Sequence, residues 1–223
     1  MNSKITLLDR TLSPVQFRKF AAAALLAEPA TPAGAGEPIV APSDYDLNPE
    51  ALSEPRHGRS QRPAAVLVPI IARPELTLLF TQRTDHLNSH AGQISFPGGK
   101  IDETDGGPLA TALREAEEEI GLDRALVEPL GFLDAYTTGT GYRITPVVAL
   151  VEPGFTLALN RNEVADTFEV PLSFLMDEAN WRSDTRILAG RERRFYAIPY
   201  GERYIWGATA GILKNMHTRL SRL

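Results

Sequence analysis

Three glutamates at helical spacing are the residues of this sequence best suited to chemistry. Glu115, Glu118 and Glu119 occupy positions i, i+3 and i+4, so a helix would place their carboxylates side by side. Because like charges repel, this arrangement is unfavourable unless a cation lies among them. Divalent cations prefer oxygen ligands, so the spacing predicts a site for Mg²⁺ or Mn²⁺. The alternative is an ordinary solvated acidic face, which is what most glutamate runs form.

The surrounding residues predict the helix that carries these glutamates. Apolar residues recur at helical spacing and predict a buried stripe: Leu109, Ala112, Leu113, Ala116 and Ile120. Pro108 suits a first helical position, and Gly121 suits the residue after the last. Arg114 lies four residues before Glu118 and can pair with it. Glu117 points away from the acidic face and is expected to be solvated.

A turn of sequence Phe-Pro-Gly-Gly, residues 96–99, precedes this helix. Neither a helix nor a central strand tolerates that sequence, so it predicts a loop. Its glycines allow the backbone to approach a ligand closely. A close-approaching loop beside an acidic helix face favours the metal site over the solvated face.

Residues 114–122 resemble the second half of the Nudix box, R-E-U-x-E-E-x-G-U with U apolar. The first half, G-x5-E-x7-R, fits with two departures. Counted from Gly99, the first acidic position falls on Asp105, and one extra residue then precedes Arg114. We therefore expect Asp105 to help cap the helix instead. The resemblance implies an α/β/α sandwich with a mixed sheet, and an enzyme that hydrolyses pyrophosphate linkages.

A second motif resembles the segment upstream of the box in Nudix enzymes that cleave coenzyme A. Residues 79–84 and 92–99 follow L-L-T-x-R-S/T and R-x3-G-x3-F-P-G-G, with Phe80 in a Leu position and Asn88 in the second Arg position. Residues 205–210 also look like the ending of these proteins. The resemblance implies hydrolysis of coenzyme A or acyl-CoA to 4′-phosphopantetheine and adenosine 3′,5′-bisphosphate.

Two other functions stay open. One is hydrolysis of another nucleoside diphosphate derivative, such as ADP-ribose or a dinucleotide. The other is a non-catalytic Nudix-fold module that binds a nucleotide or a protein. All three carboxylates of the helical half of the box are present, which argues against the module.

The residues expected at the site fall into three groups. The metal ligands are expected to be the Gly98 carbonyl and the carboxylates of Glu115, Glu118 and Glu119. The expected catalytic residues are Arg114, Glu118 and Glu163, and the expected substrate-binding residues are Arg83, Gly99 and Lys100. The sequence leaves alternatives open, because Glu163 would also suit a loop cap, Arg83 a surface pair with Asp85, and Lys100 simple exposure.

Four further residues are weaker candidates. His86 and His90 are tempting as ligands or acids, but an oxygen-rich metal site has little use for imidazole. Tyr136 and Tyr142 would suit stacking on an adenine, although aromatic residues near a sheet are more often part of the core.

Composition sets limits on the class of protein. The chain has 223 residues, a net charge of −5 and no cysteine, which excludes disulfides and thiolate chemistry. The net charge argues against a broad basic surface for nucleic acid. We expect a cytoplasmic protein without membrane spans, because the apolar run at residues 20–27 is short for a signal peptide. A homodimer is one assembly that the sequence leaves open.

We expect the chain to divide into an N-terminal part, residues 1–63, and a domain that resembles Nudix hydrolases, residues 64–223. The N-terminal part is expected to supply a helix and a Pro/Ala/Gly-rich linker that pack on the core. In the domain, apolar runs predict strands at 64–71, 76–82, 125–135, 144–151 and 194–200, and an element from 168. Pro69 indicates an edge strand or a bulge. Residues 136–143 predict a flexible loop, 172–176 a helical turn, and 206–220 a terminal helix.

Overall fold

The computed structural model describes residues 12–30, 42–53, 61–86, 91–188 and 190–222. Within these residues, the main sheet has eight strands. They are β1 (Arg62–Ile71), β2 (Thr77–Arg83), β3 (Ile94–Ser95), β4 (Gly98–Lys100), β5 (Val127–Phe132), β6 (Tyr136–Thr137), β7 (Tyr142–Val151) and β8 (Val164–Pro171). The long central strands β1 and β7 are parallel, while every other pairing in this sheet is antiparallel, so the sheet is mixed.

A second, antiparallel sheet follows later in the chain. It consists of β9 (Arg182–Leu188), β10 (Arg191–Tyr200) and β11 (Arg203–Trp206), with β10 in the middle. The α-helices of the described residues are α1 (Pro14–Ala24), α2 (Pro108–Ile120), α3 (Leu172–Met176) and α4 (Ala208–Leu220). Among the described residues, no helix combines the length and the hydropathy needed to cross a membrane.

Two hydrophobic clusters lie on opposite faces of the main sheet. On one face, α2 packs Ala116 against Leu67 and Val147, which point to that side of β1 and β7. On the other face, α1 and α4 pack against the alternate residues of the same strands; Phe17 and Met216 belong to this cluster. The α/β/α sandwich with a mixed sheet predicted from the sequence is therefore confirmed.

The prediction drawn from Pro69 was wrong, because β1 is a central strand. Strand β7 pairs with the whole length of β1 on one side. On the other side, β4 pairs with residues 64–66 and β2 with residues 70–71. Leu67 donates its N–H to Pro97 on that second side, and Pro69, two residues later, faces the gap before β2 begins. A proline fits there because no ladder hydrogen bond requires its missing N–H.

Residues 136–143 are not a flexible loop throughout. Tyr136 and Thr137 form β6 and are buried. The Tyr136 hydroxyl donates to Asp44 at 2.9 Å, so a segment distant in sequence covers this strand. Tyr136 also packs directly on Gly211 of α4, and Arg62 stacks at 4.0 Å on the ring of Tyr142. Both tyrosines therefore belong to the packing of the fold.

Several elements differ from expectation: residues 98 and 99, predicted to lie in a loop, belong to strand β4 because they pair with β1, and strands β3 and β11 were not expected. The helical turn at 172–176 is confirmed as α3, and the apolar stripe of α4 is buried as expected. Trp206, expected to begin the last helix, instead ends strand β11, and Gly207 with φ 63° turns the chain into α4. Strand β9 was not expected at all.

Candidate active site

The helix that carries the glutamates forms as the sequence predicts. Pro108 is the first residue of α2, and Gly121 ends it in the left-handed conformation with φ 67°. Its buried face consists of Ala112, Ala116 and Ile120, with Leu109 and Leu113 packed at the margin. This burial against β1 and β7 holds the opposite, acidic edge of the helix beside the loop that contains β4.

The three predicted metal ligands lie in different environments. Glu119 is 4% exposed, and its carboxylate accepts a hydrogen bond of 3.2 Å from the N–H of Gly98. The side chain of Glu115 is 17% exposed and lies against Gly99. The side chain of Glu118 is 57% exposed and turns toward Arg114. The solvent exposure of the three carboxylates therefore increases from Glu119 through Glu115 to Glu118, although all three lie within about one turn of the helix.

Burial makes the two inner carboxylates reluctant to ionise. Loss of water raises the pKa of Glu119 to about 8, although the Gly98 N–H opposes the shift. The pKa of Glu115 is also raised, chiefly by burial, against the opposing effect of Arg114. Negative charge on Glu163 adds to both shifts, so Glu163 is electrostatically close to both carboxylates. The site concentrates negative charge that a cation would neutralise.

The two glycines of β4 are required by close packing. A Cβ on Gly99 would lie 2.4 Å from the carboxylate of Glu115, and a Cβ on Gly98 would lie 2.4 Å from the carbonyl oxygen of Ala65. No other residue leaves room for β4 to approach both β1 and α2. The glycine turn thus brings backbone atoms against the acidic edge of the helix, as the sequence predicts.

Arg114 is the centre of an ion-pair network. Its guanidinium pairs with Glu118 at 2.9 Å, as the spacing predicts, and with Glu115 at 3.0 Å. It also donates to both oxygens of Asp105, at 3.0 and 2.9 Å. This pairing holds the pKa of Asp105 well below its usual range. Arg114 therefore orients two of the candidate metal ligands and is itself held by Asp105.

The expectation that Asp105 caps the helix was wrong. The N-cap residue of α2 is Gly107, and no side chain bonds its first turn at the cap. Asp105 lies two residues earlier, where its carboxylate reaches Arg114 and accepts a bond of 2.8 Å from the hydroxyl of Thr111. Compared with the Nudix box, this loop has one extra residue before Arg114 and the shorter Asp105 in place of glutamate. The ion pair between Asp105 and Arg114 forms nevertheless.

Glu163 lies in a loop held on two sides. Its N–H donates to the carbonyl of Asn160, and its carboxylate accepts a bond of 3.2 Å from the Asn160 side chain. The N–H of Asn160 donates to the carbonyl of Glu119 at 2.9 Å, so the same residue ties this loop to the end of α2. On the other side, the N–H of Thr84 donates to the carbonyl of Glu163 at 3.0 Å. The sequence analysis did not predict a role for Asn160. Its position three residues before Glu163 could have indicated one, because an asparagine side chain at that spacing can reach the carboxylate.

Arg83 ends β2 beside this loop. Its positive charge opposes the rise in the pKa of Glu119, so the two side chains are electrostatically coupled. Its Nε is buried and, among the described residues, has no hydrogen-bond partner. The alternative surface pair with Asp85 does not form in the described part of the chain. Arg83 thus offers a donor toward the site.

The remaining candidates are more peripheral. Lys100 is exposed at the end of β4, and its carbonyl accepts a weak bond of 3.4 Å from Arg114. His86 lies 3.1 Å from the carbonyl of Asn162 and so helps to hold the Glu163 loop. His90 and Asn88 lie outside the described residues.

A polar cavity of about 430 Å³ lies elsewhere, between α4 and residues 42–46. Three of its charged side chains form ion pairs: Arg219 pairs with Asp134 at 2.6 Å, and Lys214 pairs with Glu178 at 2.7 Å. Of the candidate residues only Tyr136 lines the cavity, and none of the acidic or basic candidates does, so the cavity is separate from the site around α2.

The donor set of the site fits a hard divalent cation. The candidate ligand atoms are all oxygens, from the carboxylates of Glu115, Glu118 and Glu119 and the carbonyl of Gly98, which suits Mg²⁺ or Mn²⁺ rather than Zn²⁺. Among the described residues, no three such side chains are gathered at ligating distances, because each carboxylate turns to its own donor. Rotation of side chains away from Arg114 and the Gly98 N–H would be needed to bind a cation.

Comparison with known proteins identifies the family. The family model described as NUDIX domain matches residues 61–190. The chain belongs to the Nudix family. A protein of Escherichia coli O139:H28 described as uncharacterized Nudix hydrolase NudL is 39% identical over 176 residues, 78% of this chain and 92% of that protein. Its counterpart in Yersinia pestis (strain Pestoides F) is 43% identical over 162 residues, 73% and 81% of the two chains.

A similar solved structure is that of a Caenorhabditis elegans Ap4A hydrolase binary complex. It is 17% identical, with a TM-score of 0.43, and the match covers 49% of this chain and 80% of that one. Family membership makes this chain a Nudix hydrolase, an enzyme acting on a nucleoside diphosphate derivative. Nudix hydrolases generally use divalent ions such as Mg²⁺ or Mn²⁺.

Replacing Glu117 by glutamine is expected to leave activity nearly unchanged. Glu117 is exposed on the far side of α2, and its carboxylate pairs there with Arg124. Such surface changes usually alter stability by no more than about 0.5 kcal/mol. Steady-state turnover and thermal unfolding of the variant would be compared with the unmodified enzyme. A loss of activity as large as that of Glu119→Gln would show that the assigned face of α2 is wrong.

Proposed function

We propose that this enzyme hydrolyses the pyrophosphate linkage of coenzyme A or an acyl-CoA in the cytoplasm. The products would be 4′-phosphopantetheine and adenosine 3′,5′-bisphosphate. The observation that carries the proposal concerns Arg83: it belongs to the coenzyme A-type motif at residues 79–99, and its charge acts on the buried carboxylate of Glu119. This coupling supports a link between a motif tied to one substrate and the candidate catalytic site.

Each residue has a role in this proposal. Glu115, Glu118, Glu119 and the Gly98 carbonyl would hold Mg²⁺ or Mn²⁺, which would neutralise the pyrophosphate and acidify a water molecule. Arg114 orients Glu115 and Glu118 through its ion pairs.

The other groups act on the substrate and on the attacking water. Glu163 accepts a proton from the attacking water. At the same time the oxygen of that water bonds to phosphorus and the bridging P–O bond breaks. Arg83 and Lys100 meet the phosphates, and Gly99 allows a phosphate to come close to the backbone.

The test is to compare coenzyme A with its analogue lacking the 3′-phosphate. The acidic helix serves any pyrophosphate, so a preference for coenzyme A must arise from groups outside it, such as Arg83. We expect higher kcat/KM for coenzyme A, and a reduction of about tenfold or more in Arg83→Ala, because a charge-assisted hydrogen bond contributes roughly 1.5–3 kcal/mol. Arg124→Ala removes an exposed arginine elsewhere and serves as the control.

Two results would move the assignment. Equal kcat/KM for the two substrates, or faster cleavage of ADP-ribose than of either, would indicate another nucleoside diphosphate derivative. No turnover of any pyrophosphate in a panel assayed with Mg²⁺ and Mn²⁺ would indicate a binding module. Gel filtration of the same preparation would establish whether the enzyme is a homodimer.

A further inference from the structure

The second sheet concentrates positive charge in an acidic protein. Residues 182–206 contain six arginines and three carboxylates, whereas the whole chain carries a net charge of −5. Strands β10 and β11 lie beyond residue 190, where the match to the family model ends. The net charge of the chain therefore conceals a local excess of arginine, of which Arg182 and Arg186 lie within the matched residues and the other four beyond them.

One face of this sheet is directed outward. Ile198 and Ile205 are opposite each other in β10 and β11 and are fully buried, so their face packs on the core. Side chains alternate along a strand, which places the intervening residues on the other face. This face includes Arg182, Asp184, Arg186, Arg193, Phe195, Ala197, Tyr204 and Trp206. Ala197 is fully buried and Arg193 forms an ion pair of 3.7 Å with Glu50, so the exposed part of the face is formed chiefly by Arg182, Arg186 and Tyr204, with Phe195 and Trp206 half-buried beside them.

Aromatic rings and arginines are interleaved on the outer face. The ring of Trp206 lies 5.0 Å from that of Phe195, and the guanidinium of Arg186 lies over Trp206 at 5.0 Å from the ring centre. Arg182 and Arg186 are exposed, and among the described residues neither pairs with a carboxylate. The carboxylate of Asp184 instead accepts a hydrogen bond from the hydroxyl of Tyr204. Both arginines are therefore available to an anionic partner.

We propose that the outer face of the second sheet binds single-stranded nucleic acid. Arginines contact the phosphates of a strand, while exposed bases stack on aromatic rings and guanidinium planes, often on an open sheet face. Arg182 and Arg186 are separated by four residues of β9, about 13 Å, so one strand would pass several phosphates between them. An acidic protein segment could pair with the arginines, but its carboxylates would not stack on the ring of Trp206.

This surface is distinct from the proposed catalytic site. The second sheet packs on the cluster formed by α1 and α4, whereas the glutamates lie on α2 at the opposite face of the main sheet. Arg203 links the two sheets, because it donates to Asp166 and stacks at 4.6 Å on Phe168 from the α4 side. Hydrolysis of a small substrate and binding of a strand would thus use different faces, so either can be removed without the other.

The experiment is fluorescence anisotropy of the full chain with a labelled twelve-nucleotide oligoadenylate as RNA and as DNA, at several salt concentrations. We expect binding that is weakened about tenfold in Arg182→Ser/Arg186→Ser, and a slope of log affinity against log salt that falls by about 1.4 for two lost contacts. The control Arg18→Ser/Arg124→Ser removes the same charge from elsewhere and is expected to bind normally. In Trp181→Phe, Trp206 is the only tryptophan, and its fluorescence should be quenched by the strand.

Several outcomes would overturn the proposal. These are no binding at high protein concentration, equal weakening in both double variants, equal binding of a duplex, or unchanged fluorescence of Trp206. Displacement of the oligonucleotide by polyglutamate as readily as by unlabelled oligonucleotide would point to an acidic protein partner instead. Thermal unfolding of each variant establishes that a loss of binding is not a loss of fold.

Discussion

Replacing Glu119 by glutamine is expected to abolish most hydrolysis and, at high pH, to stabilise the metal-free protein. Glu119 is the most buried of the three glutamates and lies against the Gly98 backbone. A neutral amide there cannot neutralise a divalent cation, so we expect turnover at saturating Mg²⁺ to fall by at least about a hundredfold.

The stability effect follows from the raised pKa of Glu119. In the unfolded chain the carboxyl group ionises with its ordinary pKa of 4.5, but in the folded protein burial disfavours the charge and raises the pKa to about 8. The folded state therefore holds one more proton between these values, and its stability falls as the pH rises through this window. Above pH 8 this loss of folding stability is complete. A protein with glutamine at position 119 does not lose this stability, because glutamine does not ionise. Each unit of pKa corresponds to about 1.4 kcal/mol.

Thermal unfolding in the presence of a chelator, at pH 5 and pH 9, measures this effect. We expect the melting temperatures of Glu119→Gln and the unmodified protein to be similar at pH 5 and to differ by roughly 5 °C or more at pH 9, in favour of the variant. Glu117→Gln, on the exposed side of the same helix, should show no such difference. Near-normal turnover of Glu119→Gln at saturating Mg²⁺ would exclude Glu119 as a metal ligand.

The helix at the centre of the site was predictable because its signals are local. The apolar stripe, Pro108 at the start and Gly121 at the end all act within one or two turns, and each has the expected place in α2. The pair between Arg114 and Glu118 follows from the same spacing. The glycines of β4 also have a local signature, since only glycine permits the close contact with Glu115.

The features that escaped prediction depend on contacts distant in sequence. Pro69 suits a central strand only because β4 and β2 leave a gap beside it, which sequence spacing cannot reveal. Asp105 bonds Arg114 instead of the helix backbone because of how its loop folds. Strand β9 carries arginine, serine, aspartate and threonine with no buried face of its own, and forms because β10 pairs with its full length. Its sequence therefore lacks the alternation that marks a half-buried strand.

Replacing Glu163 by glutamine is expected to lower kcat by about 10²–10⁴-fold, the range typical of a lost general base. Its charge acts on the buried carboxylates of Glu115 and Glu119, which supports the proposed role of Glu163 as the base at this site. If Glu163 merely capped its loop, glutamine would keep the bond capacity and the activity. A change in thermal stability without a change in kcat would favour that structural role.

Variants of Asn160 test whether this residue acts by orienting the carboxylate of Glu163. Its side chain donates to the Glu163 carboxylate at 3.2 Å, while its N–H bonds the carbonyl of Glu119. Asn160→Ala keeps the backbone bond to Glu119 and removes two side-chain bonds, the one to Glu163 and one of 3.2 Å accepted from the N–H of Asn162. We expect kcat to fall by about tenfold with KM little changed. In the Glu163→Gln background the same substitution should cost less than about twofold, because a residue that acts by positioning a carboxylate has nothing left to position. Asn162→Ala, in the same loop, is the matched control, since its recorded contacts are made by its backbone. If the losses at Asn160 and Glu163 multiply independently in the double variant, Asn160 does not act through Glu163, and its bond to that carboxylate is structural.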